Sequence, residues 1–283
     1  MDELHQKFEL LKCQLRGLGK VAVAYSAGVD STFLLKVAHD VLGVNAVAIT
    51  IKSRVVPGRE IQEALDFCKA EGILHLVLDF NEMDVDGFRE NPPDRCYVCK
   101  RSIFKAIIGA AAEHGIPAVC EGSNVDDLGD YRPGLKAIAE LNVKSPLREA
   151  GLTKAGIRTL SRELGLPTAS KPSFACLASR IPYGEQITEE KLRLVERAEQ
   201  YLQDLGFVQY RVRCRLVPQK SPAAETYMAS IEILPEQFPL FREKQGEITE
   251  KLVRLGFSDV ALDEKGYRTG SLNEKIFQKN ILL

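Results

Sequence analysis

The chain has 283 residues, 45% hydrophobic and 27% charged, with a net charge of −1 at pH 7. That length suits one large or two ordinary domains, and the near-neutral charge excludes a general electrostatic grip on nucleic acid. The opening stretch, "MDELHQKFELLKCQLRGLG", is acidic early and lacks a continuous apolar core, so it does not read as a signal peptide. No apolar run reaches the length of a bilayer span. The expectation is a cytoplasmic protein without membrane or nucleic-acid partners. Its seven cysteines then suit metal or redox chemistry at any close pair better than a disulfide framework.

The N-terminal stretch places Leu4, Phe8, Leu11 and Leu15 at helical spacing. "KVAVAYS" (20–26) reads as a buried strand, followed by the glycine turn "AGVDS" and a helix through "TFLLKVAHDVLG". "NAVAITI" (45–51) and "HLVLDF" (75–80) are further strands, separated by the helical "GREIQEALDFCKAEG". "KRSIFKAIIGAAAEHG" is helical, "PAVCEG" (117–122) a fourth strand and "VKSPL" (143–147) a candidate fifth. Thr153 caps a helix that ends at Gly165. Strands alternating with helices predict an α/β fold, a parallel sheet with helices on both faces. Such sheets bind ligands beyond the carboxyl ends of their strands.

The pattern changes near residue 170, which divides the chain into an expected ATP-binding domain, 1–170, and a smaller α+β domain, 171–283. "YLQDLGFVQYRVR" and "KLVRLGFSDVALD" share an order of helix, Leu-Gly-Phe and strand, a weak internal duplication. "SKPSFACLASRIPYGE" (170–185) is the junction.

"YSAGVDST" follows a strand and opens a helix. There the N–H groups of Gly28, Val29, Asp30 and Ser31 would converge on one anion with help from the helix dipole. Ser26 and Ser31 add hydroxyls, and Gly28 is expected to permit the tight turn. A plain strand-to-helix turn capped by Asp30 and Ser31 is the competing reading. The stretch lacks the lysine and glycine spacing of a Walker A loop. Asp30 beside phosphates calls for a divalent cation, Mg²⁺, between them. The stretch resembles the SGGxDS signature of PP-loop ATP pyrophosphatases, with Ala27 in place of the first glycine of the pair. A left-handed alanine would cost on the order of 1 kcal/mol, so position 27 is expected to have φ below zero. The resemblance implies that ATP is cleaved between its α and β phosphates, with Asp30 taking part, and that AMP passes to a substrate oxygen. It also implies adenine binding past the second strand, at "TIKS" with Lys52, and a second loop, "EGSNVDD" with Gly122, near the phosphates. Either stretch also reads as a turn built on local side-chain bonds.

Cys96 and Cys99 in "RCYVCK" fall where a helix begins, on one face, with Cβ atoms about 5–6 Å apart. A helix N-terminus and the cations Arg95, Lys100 and Arg101 favour thiolates there. Zinc wants four ligands, and no second such pair exists. Cys176, if the junction folds back over the sheet, would complete three thiolates, which suit a 4Fe-4S cluster with one iron open to an exogenous ligand such as sulfide. The alternative is that all three are ordinary thiols. Cys13 and Cys68 on amphipathic helices, Cys120 at a strand end and Cys214 within "RVRCRLV" read as ordinary structural cysteines.

"SAGVDST", "GSNVDDLGDYRPGLKA", "KSPLREAGLTKAGIRTLSRELGLP", "SFACLASRIPYGEQIT", "AEQYLQDLGF", "YRVRCR" and "SIEILP" together resemble the LarE family along nearly the whole chain. These are ATP-dependent sulfur transferases of nickel-pincer nucleotide biosynthesis. The resemblance implies adenylation of a carboxylate of pyridinium-3,5-biscarboxylic acid mononucleotide and replacement of AMP by sulfur, giving a thiocarboxylate. It makes Cys176 either the sulfur donor itself, left as dehydroalanine, or one of three ligands, with Cys96 and Cys99, of a cluster that passes on sulfide or sulfur from another donor; all three thiols favour the cluster. It places Arg211 and Arg213 on the substrate phosphate, though a solvated basic strand face competes. It places Ser179 and Arg180 near substrate or AMP, and Glu199 and Glu232 near the transfer site in a metal or substrate role, where each also reads as a surface charge. It makes the protein a homo-oligomer. Asp130 and Arg132 read as a structural ion pair or an oligomer contact.

Three alternatives compete. A PP-loop tRNA thiolase of the TtcA kind would need a basic RNA-binding face. An ammonia-using ligase of the NAD or GMP synthetase type would need no cluster. A non-enzymatic iron–sulfur carrier would bind nucleotide only as a signal.

Overall fold

The computed structural model describes residues 2–129, 133–217, 226–268 and 270–273. They form two compact units. The first runs to Val85 and resumes over Asp94–Phe174; the second takes Asp86–Pro93 and the chain from Ala175. Asp130 and Arg132 lie outside the described residues.

The first unit contains, in chain order, α1 (Glu3–Leu18), β1 (Val21–Ala24), α2 (Val29–Leu42), β2 (Ala46–Lys52), α3 (Gly58–Glu71), β3 (His75–Asp79), α4 (Arg95–Glu113), β4 (Ala118–Cys120), α5 (Gly134–Glu140), α6 (Pro146–Glu149) and α7 (Lys154–Glu163). Its sheet is parallel, in the order β3-β2-β1-β4. Alternation of side chains assigns the two faces. Val21, Val23, Ala46 and Ala48 pack with Leu11, Leu15, Phe33, Leu34, Ile157 and Leu160. Ala22, Val47, Ile49 and Val119 pack with Phe104, Ile107 and Ala111 of α4. Helices therefore cover both faces, as expected, and the order places a topological switch at β1 and β4, where loops diverge and ligands bind.

The expected fifth strand is a single bridge between Cys120 and Lys144. Pro146, without an N–H, ends any further pairing and opens α6 instead. Thr153 caps α7 as expected, its side chain accepting from the Gly156 N–H.

The second unit contains α8 (Glu189–Asp204), β5 (Tyr210–Leu216), β6 (Tyr227–Ile233), α9 (Phe238–Leu255) and β7 (Asp259–Leu262). Its sheet has the order β5-β6-β7, with β5 antiparallel and β7 parallel to β6. The two Leu-Gly-Phe stretches form matching corners. Gly206 and Gly256 have φ of 90° and 125°, and the Phe207 and Phe257 N–H groups donate back to Leu202 and Leu252 carbonyls at 3.1 and 3.2 Å. Both phenylalanines are buried. The stretch 86–93 groups with this unit because Asn91 plugs the turn after Cys176: its Nδ2 donates to the carbonyls of Ile181, Pro182 and Glu185 at 3.2, 2.7 and 3.0 Å. No described helix is long and apolar enough to cross a membrane.

Candidate functional site

The turn after β1 is built by one residue in an unusual conformation. Ala27 has φ of +53° and is buried, whereas Gly28 has φ of −80° and sits at the N-cap of α2. The expectation that position 27 avoids the left-handed region is therefore wrong, and the turn depends on Ala27 rather than on Gly28. Thr32 N–H donates to the Gly28 carbonyl at 2.9 Å, the first helical bond. The N–H groups of Val29, Asp30 and Ser31 thus belong to the first turn, where no intrahelical acceptor exists. Ser31 Oγ accepts from the Ser26 N–H at 3.3 Å, lies 3.2 Å from Ser26 Oγ and reaches the Gly28 carbonyl at 3.3 Å. The two hydroxyls hold the loop closed on itself.

Gly122, in the loop after β4, lies against this turn. A Cβ there would fall 3.1 Å from Ser31 N and 3.2 Å from Asp30 Cβ. A side chain at 122 would crowd the N–H that an anion needs, so the glycine keeps it open. The same loop carries the expected local bonds: Asp126 N–H donates to Asn124 Oδ1 and Asn124 N–H to Asp127 Oδ2, both at 2.9 Å. It also sends Asn124 Nδ2 to Asp30 Oδ1 at 3.2 Å. Lys154, at the start of α7, closes on Asp30 Oδ2. The charge argument for a divalent cation at Asp30 therefore has a second solution in this lysine, which the sequence reading missed. Lys52 ends β2 with an exposed side chain 3.4 Å from Asp79, and its carbonyl accepts from the Phe80 N–H at 3.0 Å.

Beside the loop, side chains of β2 and β3 reach the backbone that follows β1. Thr50 Oγ1 donates to the Tyr25 carbonyl at 2.8 Å, so His75 Nε2, 2.7 Å away, must be the donor to Thr50. Burial lowers the pKa of His75, disfavouring the charged ring, and Thr50 as acceptor selects the tautomer with the proton on Nε2.

Cys96 and Cys99 occupy the first turn of α4, half-buried, as expected. The fully buried Arg95 directs Nη2 toward Cys96 Sγ at 3.9 Å. Gly134 explains part of "DYRPGLKA": a Cβ there would meet Lys100 Cδ at 2.5 Å and the Cys96 carbonyl at 3.4 Å, so glycine lets α5 pack against the thiol-bearing turn. By spacing and donor chemistry the two thiols fit two ligands of a cluster. Among the described residues, no three or more His, Cys, Asp or Glu side chains gather as a metal-holding group. Burial pushes the Cys68, Cys120 and Cys214 thiols up to about 12, which leaves them inert. Cys13 lies exposed on α1.

In the second unit Cys176 is exposed and forms the N-cap of a short 3₁₀ turn, Leu177–Arg180. Its carbonyl accepts from Ser179 Oγ at 2.7 Å. Arg180, 1% exposed, donates Nη1 to Ser179 Oγ at 2.8 Å, and Nε and Nη2 to the two oxygens of Glu199 at 2.6 and 3.1 Å. Arg213 donates Nη1 to the Ser179 carbonyl at 2.5 Å, and Nε and Nη2 to Glu232 at 2.8 and 3.3 Å. Arg211 shares that face, 3.6 Å from Glu232, with Nη2 donating to the Tyr267 hydroxyl at 2.7 Å. All five charged side chains are buried. The readings of a solvated basic strand and of surface carboxylates are thus overturned, because each of these side chains is buried and bonded to a neighbour. Three guanidiniums against two carboxylates leave one positive charge in excess, beneath an exposed thiol, which suits a phosphate.

A parallel sheet whose first strand runs through a tight turn into a helix N-terminus, with the loop after β4 backing that turn, is the arrangement of a PP-loop protein. No family model matches the chain. An uncharacterised protein of Synechocystis sp. is 42% identical over 95% of this chain and 98% of its own. The pyridinium-3,5-bisthiocarboxylic acid mononucleotide synthase of Lactiplantibacillus plantarum is 34% identical over 98% of this chain and 97% of its own. A tRNA-specific 2-thiouridylase, MnmA, of Azorhizobium caulinodans is 30% identical over 62% of this chain and 54% of its own length. The chain belongs to the LarE family of ATP-dependent sulfur transferases.

Proposed function

We propose that this enzyme activates a carboxylate of pyridinium-3,5-biscarboxylic acid mononucleotide with ATP and exchanges the activated oxygen for sulfur, in nickel-pincer nucleotide biosynthesis. The carboxylate oxygen attacks the α-phosphorus, the bond to the β-phosphate oxygen breaks, and pyrophosphate leaves. A sulfur nucleophile then adds to the acyl carbon, and AMP departs with the C–O electron pair. The observation that carries this reading is near full-length similarity to the Lactiplantibacillus plantarum synthase. The exposed Cys176 on a turn fixed by buried ion pairs supports it.

In this reading Ser26, Gly28, Val29, Asp30 and Ser31 hold the phosphates of ATP, with Gly122 keeping the cradle open and Lys52 beside the adenine. Asp30 would hold a Mg²⁺ ion, which when bound would offset the charge of the phosphates, with Lys154 giving up its pairing. Arg211, Arg213, Ser179 and Arg180 face the substrate nucleotide, and Glu199 and Glu232 fix the arginines in place. Cys96, Cys99 and Cys176 would hold a 4Fe-4S cluster, which when bound supplies a sulfide; without it, Cys176 is the sulfur donor. The active assembly is a cytoplasmic homo-oligomer.

The test is pyrophosphate release by anaerobically purified protein with the pyridinium substrate, alongside iron and sulfide analysis of the wild type and of Cys96→Ala, Cys99→Ala and Cys176→Ala. Substrate-dependent pyrophosphate and thiocarboxylate are expected. Pyrophosphate release with bulk tRNA instead would overturn the substrate assignment. Iron lost in each variant supports the cluster; iron-free active protein whose Cys176 becomes dehydroalanine supports the sacrificial route.

A further inference from the structure

Lys171 lies five residues before Cys176 and has no role in the reading above. Its side chain is largely buried, and Nζ donates to the Ala27 carbonyl at 3.0 Å and pairs with Glu60 and Glu63 at 2.6 and 2.5 Å. Its own backbone is pinned: Arg158 donates Nη2 to the Lys171 carbonyl at 2.7 Å and Nη1 to the Ala169 carbonyl at 2.6 Å. The lysine is thus a fixed strut that ends on the one left-handed residue of the phosphate turn.

We propose that Lys171 is a positioning residue for ATP, holding the Ala27–Gly28 peptide in the orientation that offers its N–H to a phosphate. This inference rests on the nucleotide reading of the loop. In a trans peptide the carbonyl and the following N–H point in opposite directions. Holding the Ala27 oxygen on one side therefore fixes the Gly28 N–H on the other. Ala27 pays a steric penalty for φ of +53° that glycine would not, so the loop needs an outside contact to stay in this shape. The strut acts through orientation rather than field, because one ammonium faces two carboxylates and adds no positive charge to the cradle.

The alternative, a tether that only stabilises the fold, makes a different prediction. Without the strut, the cradle conformation with alanine at 27 should be about tenfold less populated, with ATP affinity falling in proportion. Glycine at 27 removes the penalty that the strut opposes. The experiment is calorimetric titration of ATP into wild type, Lys171→Met, Ala27→Gly and the double variant, with melting temperatures recorded for each. The expected result is ATP affinity about tenfold weaker in Lys171→Met, with the double variant restored to near the affinity of Ala27→Gly. Restored affinity with an unrestored melting temperature separates positioning from mere stability. Equal affinity in wild type and Lys171→Met, or a loss that Ala27→Gly leaves untouched, overturns the inference. Wild type that binds no ATP overturns the nucleotide reading itself, and this inference with it. If Lys171→Met does not fold, the same comparison is run with Lys171→Gln, under the same criteria.

Discussion

Glu199 accepts Nε and Nη2 of Arg180 at 2.6 and 3.1 Å while also accepting the backbone N–H of Val212 at 3.0 Å, and both side chains are 1% exposed. One carboxylate thereby ties the Cys176 turn to strand β5. Neutralising it strands a buried guanidinium. Glu199→Gln should cost about 3–5 kcal/mol of stability, measured by urea denaturation. The double variant Arg180→Met, Glu199→Gln should lose less than the single one, since it buries no unmatched charge. A loss under 1 kcal/mol in the single variant would show that water reaches the pair.

Cys176 is exposed, so removing its sulfur should leave the fold alone. Cys176→Ala is expected to retain the melting temperature and substrate-dependent exchange of pyrophosphate into ATP, and to lose thiocarboxylate formation. Cys214, buried in β5, provides the contrast: Cys214→Ala should lower stability by about 1 kcal/mol with sulfur transfer intact. Thiocarboxylate formation by Cys176→Ala at the wild-type rate would remove Cys176 from the chemistry.

Gly122→Ala places a methyl against the Ser31 N–H. The KM for ATP should rise about tenfold, the scale of one lost charge-assisted hydrogen bond, with secondary structure unchanged by circular dichroism. Gly109 is the control: it is exposed in α4 and a Cβ there meets nothing within 4 Å. Gly109→Ala should stabilise by about 0.5–1 kcal/mol and leave the KM for ATP unmoved.

Glu82 follows β3 and is fully buried, with neither oxygen in hydrogen-bonding geometry. Burial raises its pKa above the ordinary 4.5, and the nearby Ser53 hydroxyl offsets this only in part. The sign follows from linkage. A carboxyl with a raised folded value contributes its full stability below the ordinary value and loses it as pH climbs through the folded one. Unfolding free energy of the wild type should therefore fall relative to Glu82→Gln as pH climbs above the ordinary carboxyl value of 4.5 and through the raised folded one. Parallel pH profiles for the two proteins would show that the carboxyl titrates normally.

The sequence told most about features set locally. Strand–turn–helix order, the N-cap at Thr153 and the placement of Cys96 and Cys99 on one helical turn all depend on near neighbours, and the structure has them. The family resemblance, the PP-loop fold and the ATP-dependent sulfur-transfer class are borne out by the relatives. What escaped depends on distant partners. Lys154 meets Asp30 across 124 residues and Lys171 meets Ala27 across 144, and no spacing rule links them. Glu199 and Glu232, expected near the transfer site with surface charge as the alternative, are buried partners of Arg180 and Arg213, and no spacing rule links them to guanidiniums on other elements. The φ of Ala27 was misjudged because alanine disfavours that region, and the lysine that holds it there lies far along the chain.

The two Leu-Gly-Phe corners match in backbone but not in dependence. A Cβ at Gly206 would meet nothing within 4 Å, whereas one at Gly256 would lie 3.1 Å from Leu194 Cδ2, a residue of α8. The earlier copy can close by itself; the later one is shaped against a helix that the earlier one supplies. A ribosome delivers them in that sequence, so the first hairpin of helix and strand is available as a mould before the second emerges, and reversing their order by circular permutation should slow maturation of this unit.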